Sequence, residues 1–185
     1  TLIKDLPERI AYATSKIPYV HLVTNGSTMT QDLATRLGHS RLTEISISID
    51  GVDELHGQIR GVKNAYSKAW RALTLLRDHA PNIQIVVNSI LSLSNLQDLE
   101  KLQVRLNDEF PDIYQKFLPL TQHELFLTED RDSVTIPGQQ STIKDLSLFI
   151  KNAINNPKVV NSSAFLRKAF YYLTGTDDVI PEQKR

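Results

Sequence analysis

Strand-like and helix-like segments alternate along the first two-thirds of this chain, and that order constrains the fold more than any other feature of the sequence. Strands separated by helices are joined by crossovers rather than hairpins, so they pair in parallel, with right-handed connections. Asp5-Leu6-Pro7-Glu8 reads as a helix start, with Asp5 as N-cap, Pro7 in the first turn and Glu8 completing a capping box; the helix runs to about Thr14, ahead of Pro18. Residues 19–24 (YVHLVT) form a short apolar strand that stops at the turn signal Asn25-Gly26, and a helix follows over 29–37. Residues 43–50 (TEISISID) alternate strictly, with Ile45, Ile47 and Ile49 on one face and Ser46 and Ser48 on the other.

A polar loop is expected over 51–64, then a helix over 65–80 with Ala69, Trp70, Ala72, Leu73 and Leu76 as its apolar stripe. Residues 82–91 (NIQIVVNSIL) are the best strand of the chain. Ser94-Asn95-Leu96-Gln97 has the pattern of a capping box opening a helix that carries Leu96, Leu99, Leu102 and Leu106 on one side, and 113–118 reads as a weaker strand. Beyond Pro119 the pattern changes. Residues 121–140 are polar and irregular, with a short extended piece expected at 133–136, and two helices, 142–155 and 162–173, follow with no strand between them. The expected fold is α/β: parallel β/α units of a partial TIM-like barrel over 1–118, with a helical C-terminal appendage over 119–185.

Composition narrows the function classes. Twenty-one basic and 21 acidic residues cancel, which removes any bulk attraction for nucleic acid or an anionic membrane. No apolar run approaches the roughly 20 residues of a membrane span, and no basic-then-apolar leader opens the chain, so a cytoplasmic location is expected. Cysteine is absent, which excludes disulfides, thiolate zinc sites and cysteine nucleophiles within these residues. The histidines (His21, His39, His56, His79, His123) are scattered and form no metal-binding pair, and each reads as a surface or packing residue. Asp50, Asp53 and Glu54 lack the spacing of a calcium loop.

In parallel α/β structures ligands bind at the carboxyl ends of the strands. That rule collects Thr24-Asn25-Gly26, Ser48 with Asp50-Gly51, and Asn88 with Ser89 in one place. A parallel strand covered on both faces reads as continuous Val, Ile and Leu. The second strand instead turns Ser46 and Ser48 to one side, and Asn88 interrupts the third. Two readings stand: these residues face a polar cavity, or they are small polar residues at solvated strand ends. Arg60 likewise is either a ligand contact or a surface ion-pair partner of Asp53 or Glu54. Residue spacing yields a cavity and no reaction.

The segments Val20-His21-Leu22-Val23-Thr24-Asn25-Gly26, Ile45-Ser46-Ile47-Ser48-Ile49-Asp50-Gly51 and His56-Gly57-Gln58-Ile59-Arg60-Gly61, in this order, resemble the middle of a radical S-adenosylmethionine (radical SAM) enzyme, and Asn88 matches an Asn common on that family's next strand. The resemblance covers about residues 1–118. It departs from the family in lacking the three-cysteine cluster motif and the Gly-Gly-Glu-Pro segment, while Tyr172-Leu173-Thr174-Gly175 and Pro181 resemble the approach to a cysteine-rich extension of the SPASM or twitch type. The resemblance therefore implies an excerpt carrying the third to sixth barrel strands.

By that resemblance the parent is an oxidoreductase that uses S-adenosylmethionine and a 4Fe-4S iron–sulfur cluster, cleaving the cofactor reductively to a 5′-deoxyadenosyl radical that abstracts hydrogen from a substrate, such as a peptide, or in cofactor or enzyme maturation. It implies Ser48 and Arg60 near the cofactor carboxylate, Asn25 and Asn88 toward its amino or ribose groups, and Asp50 as a brace for the loop. The chain alone, without cluster ligands, is expected to be inactive. The alternative is a cluster-free α/β binding module holding a nucleoside or other small ligand, and a third reading is a scaffold with no ligand. An incomplete barrel leaves a strand edge uncovered, so self-association is expected.

Overall fold

The computed structural model describes residue 3, residues 5–120 and residues 142–175. The extended piece expected at 133–136 lies outside the described residues. The elements run α1 (Leu6–Thr14), β1 (His21–Thr24), α2 (Gln31–His39), β2 (Glu44–Ser48), α3 (Asp53–Arg60), α4 (Ala65–His79), β3 (Gln84–Leu91), α5 (Leu96–Glu109), β4 (Tyr114–Pro119), α6 (Ile143–Asn155) and α7 (Ser163–Thr174). The four strands form one sheet in the order β1-β2-β3-β4, every pair parallel. Sequential order with crossovers of one hand places the connecting helices on a single face, which is the construction of a barrel segment rather than of a doubly wound sheet. The fold is a parallel β/α arrangement resembling a partial TIM-like barrel, followed by C-terminal helices.

The helix-covered face is apolar. Ile45, Ile47 and Ile49 of the β2 region are fully buried there, together with Val87 and Leu91 of β3 and Phe117 of β4. Ala69, Ala72, Leu73 and Leu76 of α4 bury the stripe read from the sequence, and Leu96, Leu99, Leu102 and Leu106 do the same for α5. The opposite face carries the register-matched residues of the other parity: Ser46 pairs with Val86, and Ser48 with Asn88, which pairs with Lys116. Register partners in a parallel sheet project from the same side, so this second face is lined with polar groups near its carboxyl edge.

The capping expectation for α1 changes in detail. Asp5 makes no side-chain cap; its carboxylate pairs with Arg9 at 2.9 Å, and Glu8 reaches Arg36 instead of closing a box. Residues 51–64 are not a loop throughout, because Asp53–Arg60 forms α3, ended by Gly61 in the left-handed conformation at φ 62°. Only Leu55 and Ile59 mark its inner side, with Gly57 between them lowering helix propensity, so the segment has little periodic signal of its own.

The appendage has the two expected helices with no strand between them, and the segment that joins them also pairs with the sheet. The stretch between α6 and α7 supplies a β-bridge, Gln115 to Val159, with the Gln115 N–H donating to the Lys158 carbonyl at 2.8 Å and the Val160 N–H donating to the Gln115 carbonyl at 3.0 Å. Asn161 completes this edge: its Oδ1 accepts from the Phe117 N–H at 2.7 Å and its Nδ2 donates to the Phe117 carbonyl at 2.9 Å. The outer edge of β4 is thereby satisfied by chain that has no strand-like sequence. Behind it, Phe149 of α6 meets Phe117 edge-on, with ring centroids 5.0 Å apart.

Gly26 ends the turn after β1 at φ +72°, and a Cβ there would lie 2.8 Å from the Ala72 Cβ. Both the backbone conformation and the close approach of α4 require glycine. Gly26→Ala is expected to destabilise the fold by about 3 kcal/mol, combining left-handed strain and overpacking, and a lowered denaturant midpoint at unchanged slope would register it.

Candidate functional site: polar residues at the carboxyl ends of the strands

The site is organised by one buried carboxylate. Asp50 follows β2 and has no exposed surface. Its Oδ1 accepts the Ile90 N–H of β3 at 2.8 Å, and its Oδ2 lies 2.6 Å from Arg60 Nε. That second contact is an ion pair without hydrogen-bond alignment. The Asp50 N–H donates to His56 Nδ1 at 3.0 Å, and the Asp50 carbonyl accepts from Asn95 Nδ2 at 2.8 Å. Asn95 Nδ2 also reaches the Ile90 carbonyl at 2.8 Å, while its Oδ1 accepts from the Ser92 N–H and hydroxyl, each at 3.0 Å. The ends of β2 and β3 and the start of α5 are thus tied through two side chains.

His56 is 1% exposed and works as an acceptor, which assigns its proton to Nε2 and keeps the ring neutral. Burial pushes its imidazole below the ordinary value; the Asp50 carboxylate opposes that shift and the Arg60 guanidinium reinforces it. A protonated His56 would turn Nδ1 into a donor facing another donor, the Asp50 N–H.

The four candidate residues fall as follows. Ser48 and Asn88 are register partners on the polar face, both half-buried, and Asn88 Oδ1 is buried with no partner. Arg60 stands on the last turn of α3 with its side chain 36% exposed and is paired with Asp50; Asp53 pairs instead with Arg105 at 3.4 Å. Asn25 follows Thr24, the partner of Ile47, and is exposed, with its Oδ1 accepting the Ser27 N–H at 3.0 Å in an Asx turn. Ser48, Asn88 and Arg60 share the carboxyl edge of β2 and β3, whereas the Asn25 oxygen serves its own turn.

Sequence reasoning missed Asn95, which lies inside the expected Ser94–Gln97 capping box and heads α5 without a side-chain cap, and read His56 only as a surface or packing residue. Their signal was polarity beside Asp50 in an otherwise apolar core, visible only once the strands are aligned. A second cluster lies toward the amino ends: His21 Nε2 is 2.8 Å from Ser46 Oγ and 3.4 Å from Glu44 Oε1, and Glu44 Oε2 accepts from the Tyr19 hydroxyl at 2.9 Å. Serine and carboxylate share one ring nitrogen here, so this is no relay of the serine–histidine–carboxylate kind, which uses both nitrogens.

A parallel β/α barrel segment with its polar residues at the carboxyl edge is the architecture of the radical SAM class. The family model for the Radical SAM superfamily matches residues 1–103, and the chain belongs to that superfamily. The chain is 29% identical over 109 residues to Fe-coproporphyrin III synthase of Methanosarcina barkeri, covering 59% of this chain and 27% of that protein. It is 36% identical over 106 residues to AdoMet-dependent heme synthase of Nitratidesulfovibrio vulgaris, covering 55% and 28%. The solved structure of native anSMEcpe with bound AdoMet and Cp18Cys peptide superposes with a TM-score of 0.60 at 18% identity, covering 96% of this chain and 46% of that one. The matched region spans little more than a quarter of these curated relatives and under half of that solved chain.

Membership does not carry the cluster chemistry onto these residues. The 185 residues include no cysteine, and among the described residues no group of three His, Cys, Asp or Glu side chains is placed to hold a metal ion. The reading of this chain as the central fragment of an enzyme that cleaves S-adenosylmethionine at a 4Fe-4S cluster, with iron–sulfur and metal binding among its properties, is corrected accordingly. The findings favour the cluster-free module. With no cysteine, the residues present do not suit an iron–sulfur cluster. Among the described residues no helix is long and apolar enough to cross a membrane.

Because folded His56 resists protonation while the unfolded chain takes up that proton near pH 6.5, stability is expected to decline as pH falls below about 6.5. In His56→Asn, whose Oδ1 can accept the same N–H without titrating, the acid-side decline should shrink, as followed by denaturant unfolding at stepped pH. Asn95→Ala strands the Asp50 and Ile90 carbonyls and the Ser92 N–H, and is expected to cost about 3 kcal/mol in the same measurement.

Proposed function

We propose that these residues form a cluster-free α/β binding module that holds a nucleoside, with S-adenosylmethionine as the ligand best matched to its polar groups, at the carboxyl edge of β2 and β3. The observation that carries this reading is Asn88 Oδ1, buried without a partner beside Ser48 and within the edge that Arg60 flanks. A buried acceptor with no donor costs free energy that a ligand hydroxyl or amine would recover. Arg60, oriented through Nε by Asp50, keeps its terminal N–H groups for a carboxylate. Ser48 adds a hydroxyl donor. Asn25 is assigned to the rim, where its free amide can meet the ligand while its oxygen holds the turn.

In this reading residues 1–118 are the ligand-holding segment and 119–185 the appendage. A peptide or protein as second partner is supported by the anSMEcpe structures that contain a bound peptide. Self-association through β1 is supported by its outer edge, which has no strand partner among the described residues.

Without a metal to grip the amino-acid end, affinity rests on direct polar contacts, and adenosine and S-adenosylmethionine are expected to bind with dissociation constants of roughly 0.1–1 mM. Arg60→Ala should weaken S-adenosylmethionine by about tenfold and adenosine by clearly less, because only the former has a carboxylate. Calorimetric titration of both ligands would decide. Equal losses for the two ligands, or no binding of either to the unaltered chain, would overturn the reading.

A further inference from the structure

The polar row on the open face of the sheet does not end at Asn88. Lys116 of β4 is the register partner of Asn88, which is the partner of Ser48, so three polar side chains stand side by side across β2, β3 and β4. The neighbours of Lys116 settle its direction. Phe117 packs on Phe149 of α6 and is fully buried on the helix face, so Lys116 projects from the other side.

Lysine inside a parallel strand is unusual, since such strands favour β-branched and aromatic residues and lysine is rarely buried unless paired. Lys116 is half-buried and has no carboxylate or hydrogen-bond partner among the described residues. The carboxylate on the same face, Glu44, sits at the far end of β2 and is engaged by Tyr19, Gln84 and His21. Asp50, just past the carboxyl end of β2, is fully buried and committed to Arg60 and the Ile90 N–H. Among the described residues the ammonium therefore has no carboxylate to answer it, and it stands about 10 Å across the sheet from Ser48 at the usual strand spacing.

We propose that Lys116 marks a second subsite on this face, one that takes the anionic group of a co-ligand, a carboxylate or a phosphate, beside the nucleoside. The subsite is distinct from the Arg60 position because Lys116 stands on β4, whereas Arg60 stands on α3 and is paired with Asp50. A ligand carboxylate held by Arg60 leaves the Lys116 charge unanswered, so the second anion belongs to a second molecule. The co-ligand is accordingly an organic acid or a phosphorylated compound whose anionic end reaches the row from the β4 side, with Asn88 Oδ1 available to a donor on either molecule. This assignment relies on the nucleoside reading only for the identity of the neighbour.

The test uses the unaltered chain first. Lysines are acetylated with limiting acetic anhydride and mapped by mass spectrometry, with exposed Lys68 of α4 as internal reference. Saturating inorganic phosphate or glutarate is expected to slow Lys116 acetylation relative to Lys68 by about tenfold, the scale of one charge-assisted contact. Protection by phosphate alone assigns a phosphorylated co-ligand, and protection by glutarate alone assigns an organic acid. Lys116→Met should abolish the calorimetric signal of the protecting anion and Lys116→Arg should retain it. Absence of protection by both anions, or an unchanged signal in Lys116→Met, overturns the proposal; if Lys116→Met does not fold, the protection result on the unaltered chain decides. Adenosine is titrated separately. Its failure to bind, with Lys116 still protected by an anion, would remove the nucleoside reading and leave this subsite standing.

Discussion

The buried carboxylate of Asp50 is the constraint on which the carboxyl edge of the sheet depends. An ionised group with no exposed surface must be answered by donors and an opposite charge, or it destabilises the fold. Here the answers come from two elements, the Ile90 N–H from β3 and Arg60 from the end of α3, while His56 in the middle of α3 takes the Asp50 backbone N–H. Meeting them requires α3 to lie across the end of β2 and requires β3 to extend past its partner. The position of Arg60 is thus a consequence of satisfying Asp50. A side chain that touches no ligand in this arrangement dictates where the guanidinium that could touch one is held.

The same logic explains why the two faces of the sheet differ. Crossovers of one hand put the helices on one side, so only that side needs continuous apolar packing, and Ile45, Ile47 and Ile49 supply it. Relieved of that requirement, the other side of β2 carries Ser46 and Ser48. Ser46 is consumed by His21, low on the sheet, while the Ser48 hydroxyl has no hydrogen-bond partner among the described residues. The gradient from engaged to unengaged polar groups runs toward the carboxyl edge, where the loops that leave the strands can enclose a ligand.

How far the sequence reveals this depends on whether a residue's role is local. The alternation in 43–50 and the leucine spacing of α5 are local patterns, and both become the elements they imply. Gly26 is also legible, since Asn-Gly after a β-branched run is a turn signal and the structure adds only the reason α4 can approach so closely. The helix α3 is illegible because its apolar content is slight and its anchor is a histidine bound to a backbone N–H six residues back. Ser94-Asn95-Leu96-Gln97 misleads for the opposite reason: it matches a capping box well, yet the helix starts one residue later without a side-chain cap, Ser94 meets the Ser92 hydroxyl, and the Asn95 amide reaches Asp50, 45 residues away. The edge formed by 158–161 and the row ending at Lys116 likewise exist only after strand register is known.

Without thiolates, this face can grip a ligand only by direct polar contact, and that limits where binding strength can come from. Neutral hydrogen bonds at a half-open edge contribute little each, because water competes for the same groups. Charge-assisted contacts contribute more, and the mouth has two cations with different surroundings. Arg60 is partly neutralised by Asp50 and geometrically fixed, a combination suited to orienting a carboxylate rather than to attracting it from a distance. Lys116 is flexible and unanswered by any described carboxylate, a combination suited to attraction with loose geometry. The two cations therefore differ in kind: one is fixed by an ion pair, the other is free of any described carboxylate. Asn88, the register partner of Lys116, carries an acceptor that neither cation's own side chain satisfies.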